Sequence, residues 1–175
     1  YYKKGLLDKS RLALENIRNN LPTHRLSESI NLLTNIYIKQ NQDDKAISLL
    51  KSYATDSTWD AYSRFNTGSS LIYKNRLSEA KPFLDQVSNL DAHNQEQSAL
   101  RDKANLALGY VSLKINKPED AVRYFNKVRL NGALSRRAII GIGWAWSSQS
   151  RHDQALIACL AVQTCSELHS YVENS

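Results

Sequence analysis

The stretch LGYVSLKINKPEDAVRYFNKV, Leu108–Val128, decides the fold. Ala121, Tyr124, Phe125 and Val128 recur at helical spacing, so they form one apolar stripe on a helix whose other face is polar. Pro118 suits the first turn of that helix, where a missing N–H costs nothing. Asn116, just before it, is a residue type that accepts a left-handed backbone at a helix end. Gly109 lies upstream on a second periodic segment. The Gly109 and Ala121 pair returns 34 residues later as Gly143 and Ala155, and the same offset relates Gly68 to Thr34 and Ala80 to Ala46. Ala80 and Ala121 are 41 apart, one period plus seven residues. A fixed period of this length marks a stack of supersecondary units, each too small to bury its apolar face alone.

Four units follow: 27–60, 61–94, 102–135 and 136–169. Their small residue at unit position 8 is Thr34, Gly68, Gly109 or Gly143, and their alanine at position 20 is Ala46, Ala80, Ala121 or Ala155. Position 24 holds Leu50, Leu84, Phe125 and Cys159, and position 27 holds Tyr53, Val87, Val128 and Val162. In this register the chain resembles the tetratricopeptide repeat family, whose unit is an antiparallel pair of helices, A and B. The resemblance implies an all-α, right-handed α-solenoid of nine or ten helices. Small residues at positions 8 and 20 let two helix backbones approach, while positions 24 and 27 fill the space between neighbours. The chain departs from the family at position 4, where Ile30, Arg64, Asn105 and Ile139 replace tryptophan, and at position 32, where proline is absent from all four units.

The A-to-B turn carries Asn41, Asn75 and Asn116 at one equivalent position, with Ser150 in the fourth unit. Residues 1–26 align with a B helix, placing Ser10, Leu14 and Ile17 at positions 20, 24 and 27, so the chain is expected to open inside a repeat. Residues 170–175 begin a following element, and the array as a whole, 1–175, is expected to be a piece of a longer protein. The seven additional residues, 95–101, hold neither Gly nor Pro and are expected to extend the third A helix, interrupting the regular stacking.

Composition narrows the function classes. Hydrophobic residues make up 42% of the chain, which excludes wholesale disorder, and every apolar run is broken by charge well short of a membrane span. The net charge of +6 sets a preference for anionic partners, but it is patchy: +4 over residues 1–26, −2 over 27–60 and +3 over 102–135. No phosphate-cradling loop, nucleophile elbow or zinc-protease motif is present, so no catalytic residue and no cofactor are assigned. Asp43, Asp44, Glu79, Glu119 and Asp120 fall at B-helix starts, where a carboxylate complements the helix dipole. His152, Cys159, Cys165 and His169 fit no familiar zinc spacing, and Cys159 occupies the apolar register as a small buried hydrophobe, so no metal site is assigned.

The resemblance implies a partner groove on the concave, A-helix side. Carried over residue by residue, the binding positions in the first two units are Asn35, Lys39, Tyr62, Phe65, Asn66 and Tyr73. In the last two they are Lys103, Tyr110, Lys114, Arg137 and Trp144. Aromatic rings among cations suit a protein or peptide with apolar anchors and acidic groups. Two residues apart on a helix point about 200° apart, so Trp144 is expected to face the groove while Trp146 packs in the core. A terminal-carboxylate clamp is disfavoured: Asn35, Asn66 and Lys103 match that pattern, but Asn31 stands in place of its first lysine and Ala107 in place of its arginine. Single-stranded RNA is the rival ligand class, supported by Arg129, Arg136 and Arg137 but by no recurrent base-reading pair, and nucleic acid is disfavoured. A structural spacer within a larger assembly is the other alternative.

Overall fold

Four turns of one geometry organise the chain in a computed structural model, which describes residue 2, residues 5–53 and residues 58–173, with backbone alone at 19, 23, 24 and 163–173. Asn41, Asn75, Asn116 and Ser150 all lie in the left-handed region, with φ between 56° and 61°. At each, two backbone bonds close the preceding helix: Asn41 N–H donates to Ile38 C=O at 3.1 Å and Gln42 N–H to Tyr37 C=O at 2.8 Å. The Asn75, Asn116 and Ser150 turns repeat the pattern, down to the Arg151 N–H on Trp146 C=O at 3.0 Å. This is the Schellman arrangement, which satisfies the last carbonyls of one helix and reverses the chain into the next.

The chain divides into two compact units, Tyr1–Leu90 and Asp91–Ser175. The first contains α1 (Leu7–Ile17), a 3-10 turn (Arg18–Asn20), α2 (Thr23–Lys39), α3 (Asp43–Ser52), α4 (Thr58–Tyr73) and α5 (Leu77–Ser88). The second contains α6 (Gln95–Lys114), α7 (Pro118–Phe125), α8 (Ser135–Ser147) and α9 (His152–Glu173). Among the described residues there is no strand, and no helix is long and apolar enough to cross a membrane. α6 starts at Gln95 and runs for 20 residues, its first turn capped by the Asn94 side chain, which accepts from Gln97 N–H at 2.8 Å. That start places the seven additional residues inside the helix.

Packing follows the small-residue register. Thr34, Ala46, Ala80 and Ala121 are fully buried, as are Leu50, Leu84, Phe125 and Val87 to within 1%. In the first unit Leu33, Leu50, Leu71, Ala80 and Phe83 form one core; in the second, Leu106, Ala121, Phe125, Val128 and Ala145 form another. Full burial of a side chain such as Phe125 contributes about 2–3 kcal/mol. The fourth unit departs from the register. Ala155 is half-buried, and Cys159 is exposed where a buried hydrophobe is expected, because among the described helices only α8 packs against α9. Leu156, Ile157 and Leu160 are exposed for the same reason. Cys165 and His169 lie outside the residues whose side chains are described; among those described, no three metal-ligating groups converge.

Buried charges pin neighbouring pairs together. Asp43, the first residue of α3, is 6% exposed; it accepts from Ser70 Oγ of α4 at 3.2 Å and pairs with Lys74 in the turn that follows α4. Asp102 on α6 is 2% exposed and holds Arg129 beyond α7, with Nε to Oδ2 at 2.8 Å.

Candidate functional site on the A helices

In the first unit the A helices are α2 and α4, and their facing side chains form a chain of amides. Asn66 Nδ2 donates to Asn35 Oδ1 at 3.0 Å across the two helices, and Asn35 Nδ2 donates to Asn31 Oδ1 at 3.3 Å along α2. Ser63 Oγ lies 3.0 Å from the same Asn31 oxygen. Asn31 is buried, whereas Asn35 and Asn66 are half-buried. Each of these donors is therefore already turned toward another amide. Lys39, exposed at the end of α2, lies over the Tyr2 ring at 4.9 Å. Tyr62 and Phe65 are half-buried, the former 6.4 Å from the ring of Trp59. Tyr73, the last residue of α4, is 90% exposed and stands apart from the amides.

The second unit gathers its aromatic residues more tightly. Phe125 of α7 packs edge-on against Tyr110 of α6 at 5.2 Å, and Tyr110 lies 6.2 Å from Trp144 of α8. Tyr110 Oη donates to the Arg137 carbonyl at 3.2 Å, which holds the ring between the two A helices. Trp144 is 59% exposed, while Trp146 is half-buried against the core with the Arg151 guanidinium 4.1 Å over its ring. The two tryptophans thus stand on different faces of α8. Arg137, Ile140 and Trp144 share one stripe, and Lys103 and Lys114 are exposed on α6. A half-exposed ring of this size gives an amphipathic platform for apolar and π contacts.

Two features escaped the sequence. Ser63 and Asn31 join the amide chain, for which the only signal was Asn31 and Asn35 at i, i+4. Arg129 belongs to a buried ion pair with Asp102, so the arginines at 129, 136 and 137 are not one solvated cluster. Nothing in the sequence marks that pairing, because its members are 27 residues apart.

No family model matches the sequence, and no curated protein matches it. Solved structures do. The crystal structure of MamA is 18% identical, with 97% of this chain and 94% of that chain covered at a TM-score of 0.71. Two crystal structures of nearly identical TPR-like repeats, named after a kinesin light chain of Podosopora anserina, are 14% and 15% identical. They cover 100% and 94% of this chain and 92% and 89% of those chains, with TM-scores of 0.62 and 0.61. The fold of this chain is accordingly all-α and tetratricopeptide-like, an α-solenoid class built from antiparallel helix pairs.

Proposed function

We propose that the chain is a non-catalytic scaffold that holds a protein or peptide on the A-helix faces of its repeats. The observation that carries this is the Tyr110–Trp144 pair, in which a fixed tyrosine supports a tryptophan left 59% exposed. An exposed ring of that size usually serves recognition. In this reading Lys103, Lys114 and Arg137 would contribute charge in the second unit, all three being exposed, and Asn35, Asn66, Lys39, Tyr62, Phe65 and Tyr73 would serve the corresponding face of the first. The cations favour partners whose apolar anchors are flanked by acidic groups. The paired amides argue against a terminal-carboxylate clamp, since Asn35 and Asn66 each spend a donor on another amide. With Arg129 committed to Asp102, the cationic surface for RNA shrinks to Arg136 and Arg137.

The test is recovery of partners by the full chain and by Trp144→Ala and Tyr110→Ala. Loss of the same partners from both variants supports the A-helix face. Unchanged recovery refutes it. Binding to single-stranded RNA that falls steeply with salt supports the RNA alternative instead.

A further inference from the structure

Two helices, one in each unit, keep large apolar side chains in water, and they carry opposite charge. On α9, Leu156, Ile157 and Leu160 are each more than half exposed. Their spacing, i, i+1 and i+4, puts them on one face of the helix, turned away from Ala158, which is buried toward α8. Asp153 is exposed and precedes Leu156 by three residues and Ile157 by four, so it stands on the same face. On α1 the contact with α2 is made by buried Ser10 and by Leu14, which packs against the core of the first unit. Leu6, just before the helix, and Leu12 and Ile17 within it are left between 42% and 52% exposed. Exposed Lys9 falls between Leu12 and Ile17 around the helix axis.

Charge decides which face meets which. α9 contains Asp153, Glu167 and Glu173 and neither lysine nor arginine, a formal charge of −3. Residues 1–26, which include α1, hold six lysines and arginines against two carboxylates, a formal charge of +4. Packing α9 on a second α9 opposes like charge, and so does packing α1 on a second α1. Only α9 on α1 opposes unlike charge, with Asp153 available to Lys9.

We infer that copies of this chain associate head to tail, the exposed face of α9 in one copy packing on α1 of the next. Leu156, Ile157 and Leu160 cover Leu12 and Ile17, and Asp153 meets Lys9. Because the two faces differ, a pair of copies still presents one free α9 face and one free α1 face and adds a third copy by the same contact. The contact spans an 11-residue helix, less than a stable dimer needs, so the association is weak, on the order of 100 μM. Both helices are B helices of the repeat register, so the inference does not rest on the function proposed for the A-helix faces.

Sedimentation velocity of the full chain over about 5 to 500 μM tests it, under reducing conditions because exposed Cys159 could otherwise cross-link copies. The weight-average mass is expected to rise with concentration past that of two chains, and association is expected to weaken about fivefold between about 0.05 M and about 0.5 M salt. The pair Leu156→Ser and Leu160→Ser, and separately the pair Lys9→Glu and Leu12→Ser, alter only exposed side chains. Each double variant is expected to keep its melting temperature and to associate at least about tenfold more weakly. Mixed in equal amounts, the two variants are expected to recover association but to stop at two chains, since one retains an intact α1 face and the other an intact α9 face. A monomer at every concentration, an α1 variant that still pairs through α9, association that strengthens with salt, or no complex in the mixture would each overturn the inference.

Discussion

Phe125 is held between two glycines, and this makes the second unit a quantitative test of the packing scheme. A methyl group built on Gly109 of α6 would lie 2.3, 2.5 and 2.6 Å from three carbons of the Phe125 ring. One built on Gly141 of α8 would lie 2.5 and 2.6 Å from two carbons of the same ring. The carbon–carbon optimum is about 3.5–4.0 Å, so Gly109→Ala forces the ring away by about 1 Å, toward a helix that also admits it only because it carries glycine. Such overpacking costs about 1–3 kcal/mol, against a gain of about 0.5–1 kcal/mol from replacing a helical glycine by alanine. The expected result is a net loss of about 1–2 kcal/mol, which lowers the melting temperature of a unit this small by about 4–8 °C per kcal/mol. Gly143→Ala is the control: its added carbon meets only ordinary contacts, the nearest being Ala158 Cβ at 3.5 Å, so it should be neutral or stabilising by up to about 1 kcal/mol.

Chemical denaturation followed by tryptophan fluorescence reports the second unit through Trp146, which packs against the core containing Phe125. Phe125→Leu removes part of the ring and should cost about 1–2 kcal/mol alone, yet rescue Gly109→Ala, so the double variant is more stable than the sum of the two losses by about 1 kcal/mol or more. If Gly109→Ala is as stable as Gly143→Ala, or if the two losses simply add, glycine at position 8 is not there to admit the position-24 side chain and the register loses its physical basis.

Further outcomes are expected elsewhere in the fold. Trp144→Ala should change stability by no more than about 0.5 kcal/mol, whereas Trp146→Ala should cost about 2–4 kcal/mol; thermal melts of the two variants check the assignment of one exposed and one packed tryptophan. Ser150→Gly should stabilise the second unit by about 1 kcal/mol because Ser150 is held at φ 57°, and Ser150→Val should destabilise it by at least as much. Tyr37 is pushed up to about 12 by burial and by its hydroxyl bond to Glu15 at 2.7 Å, so its phenol should ionise late in a spectrophotometric titration, and Glu15→Gln should bring that ionisation to lower pH. The folded state retains that proton after the unfolded state has lost it, so this contribution to stability is complete below pH about 10 and disappears as pH rises to about 12. Glu15 titrates with the opposite sign: burial raises its pKa, but the Tyr37 hydroxyl and Arg11 guanidinium together outweigh burial and hold it below 4.5, so its contribution is lost as pH falls through the acid range.

The turns and the helix pairing were legible because they depend on local chemistry. Asn at a left-handed position, alanine one turn into the next helix and a proline at Lys117-Pro118 act within a few residues of themselves, so one unit read correctly explained the others. The two faces of α8 were legible for the same reason, since helix geometry alone separates Trp144 from Trp146. Cys159 was misplaced because its register position presupposes a helix packed on each side of α9, and among the described helices α8 alone packs against it. The amide chain through Asn31, Asn35, Asn66 and Ser63 was only half visible: the types stand in the sequence, but the distance between α2 and α4 that lets Asn35 meet Asn66 at 3.0 Å does not.

Position 4, where the chain departs from the tetratricopeptide pattern, shows what replaces a large hydrophobe when the register is kept. Arg64 occupies that position in the second repeat and is 9% exposed. Its three nitrogens reach Asp60 on its own helix, Gln86 on α5 and the Tyr53 carbonyl at the end of α3, so one side chain touches three successive segments. A buried polar network of this kind adds little net stability, because the cost of removing the charges from water offsets their attraction; what it does supply is intolerance of misalignment. A slip of one residue in α5 would carry Gln86 to another face and leave a buried guanidinium short of an acceptor, whereas a tryptophan at the same place would tolerate it. Asn105, the equivalent residue on α6, is fully buried; its Nδ2 bonds back to Arg101 C=O at 3.0 Å while its Oδ1 finds no protein partner. It gains nothing comparable. Arg64→Met takes the guanidinium away from the Asp60 carboxylate and the Tyr53 carbonyl and should therefore destabilise the first unit by about 1–3 kcal/mol, while Asn105→Leu should stabilise the second by about 1–3 kcal/mol through removal of an unsatisfied oxygen. Unchanged stability in Arg64→Met would mean that the alignment of these helices is set by their apolar contacts alone.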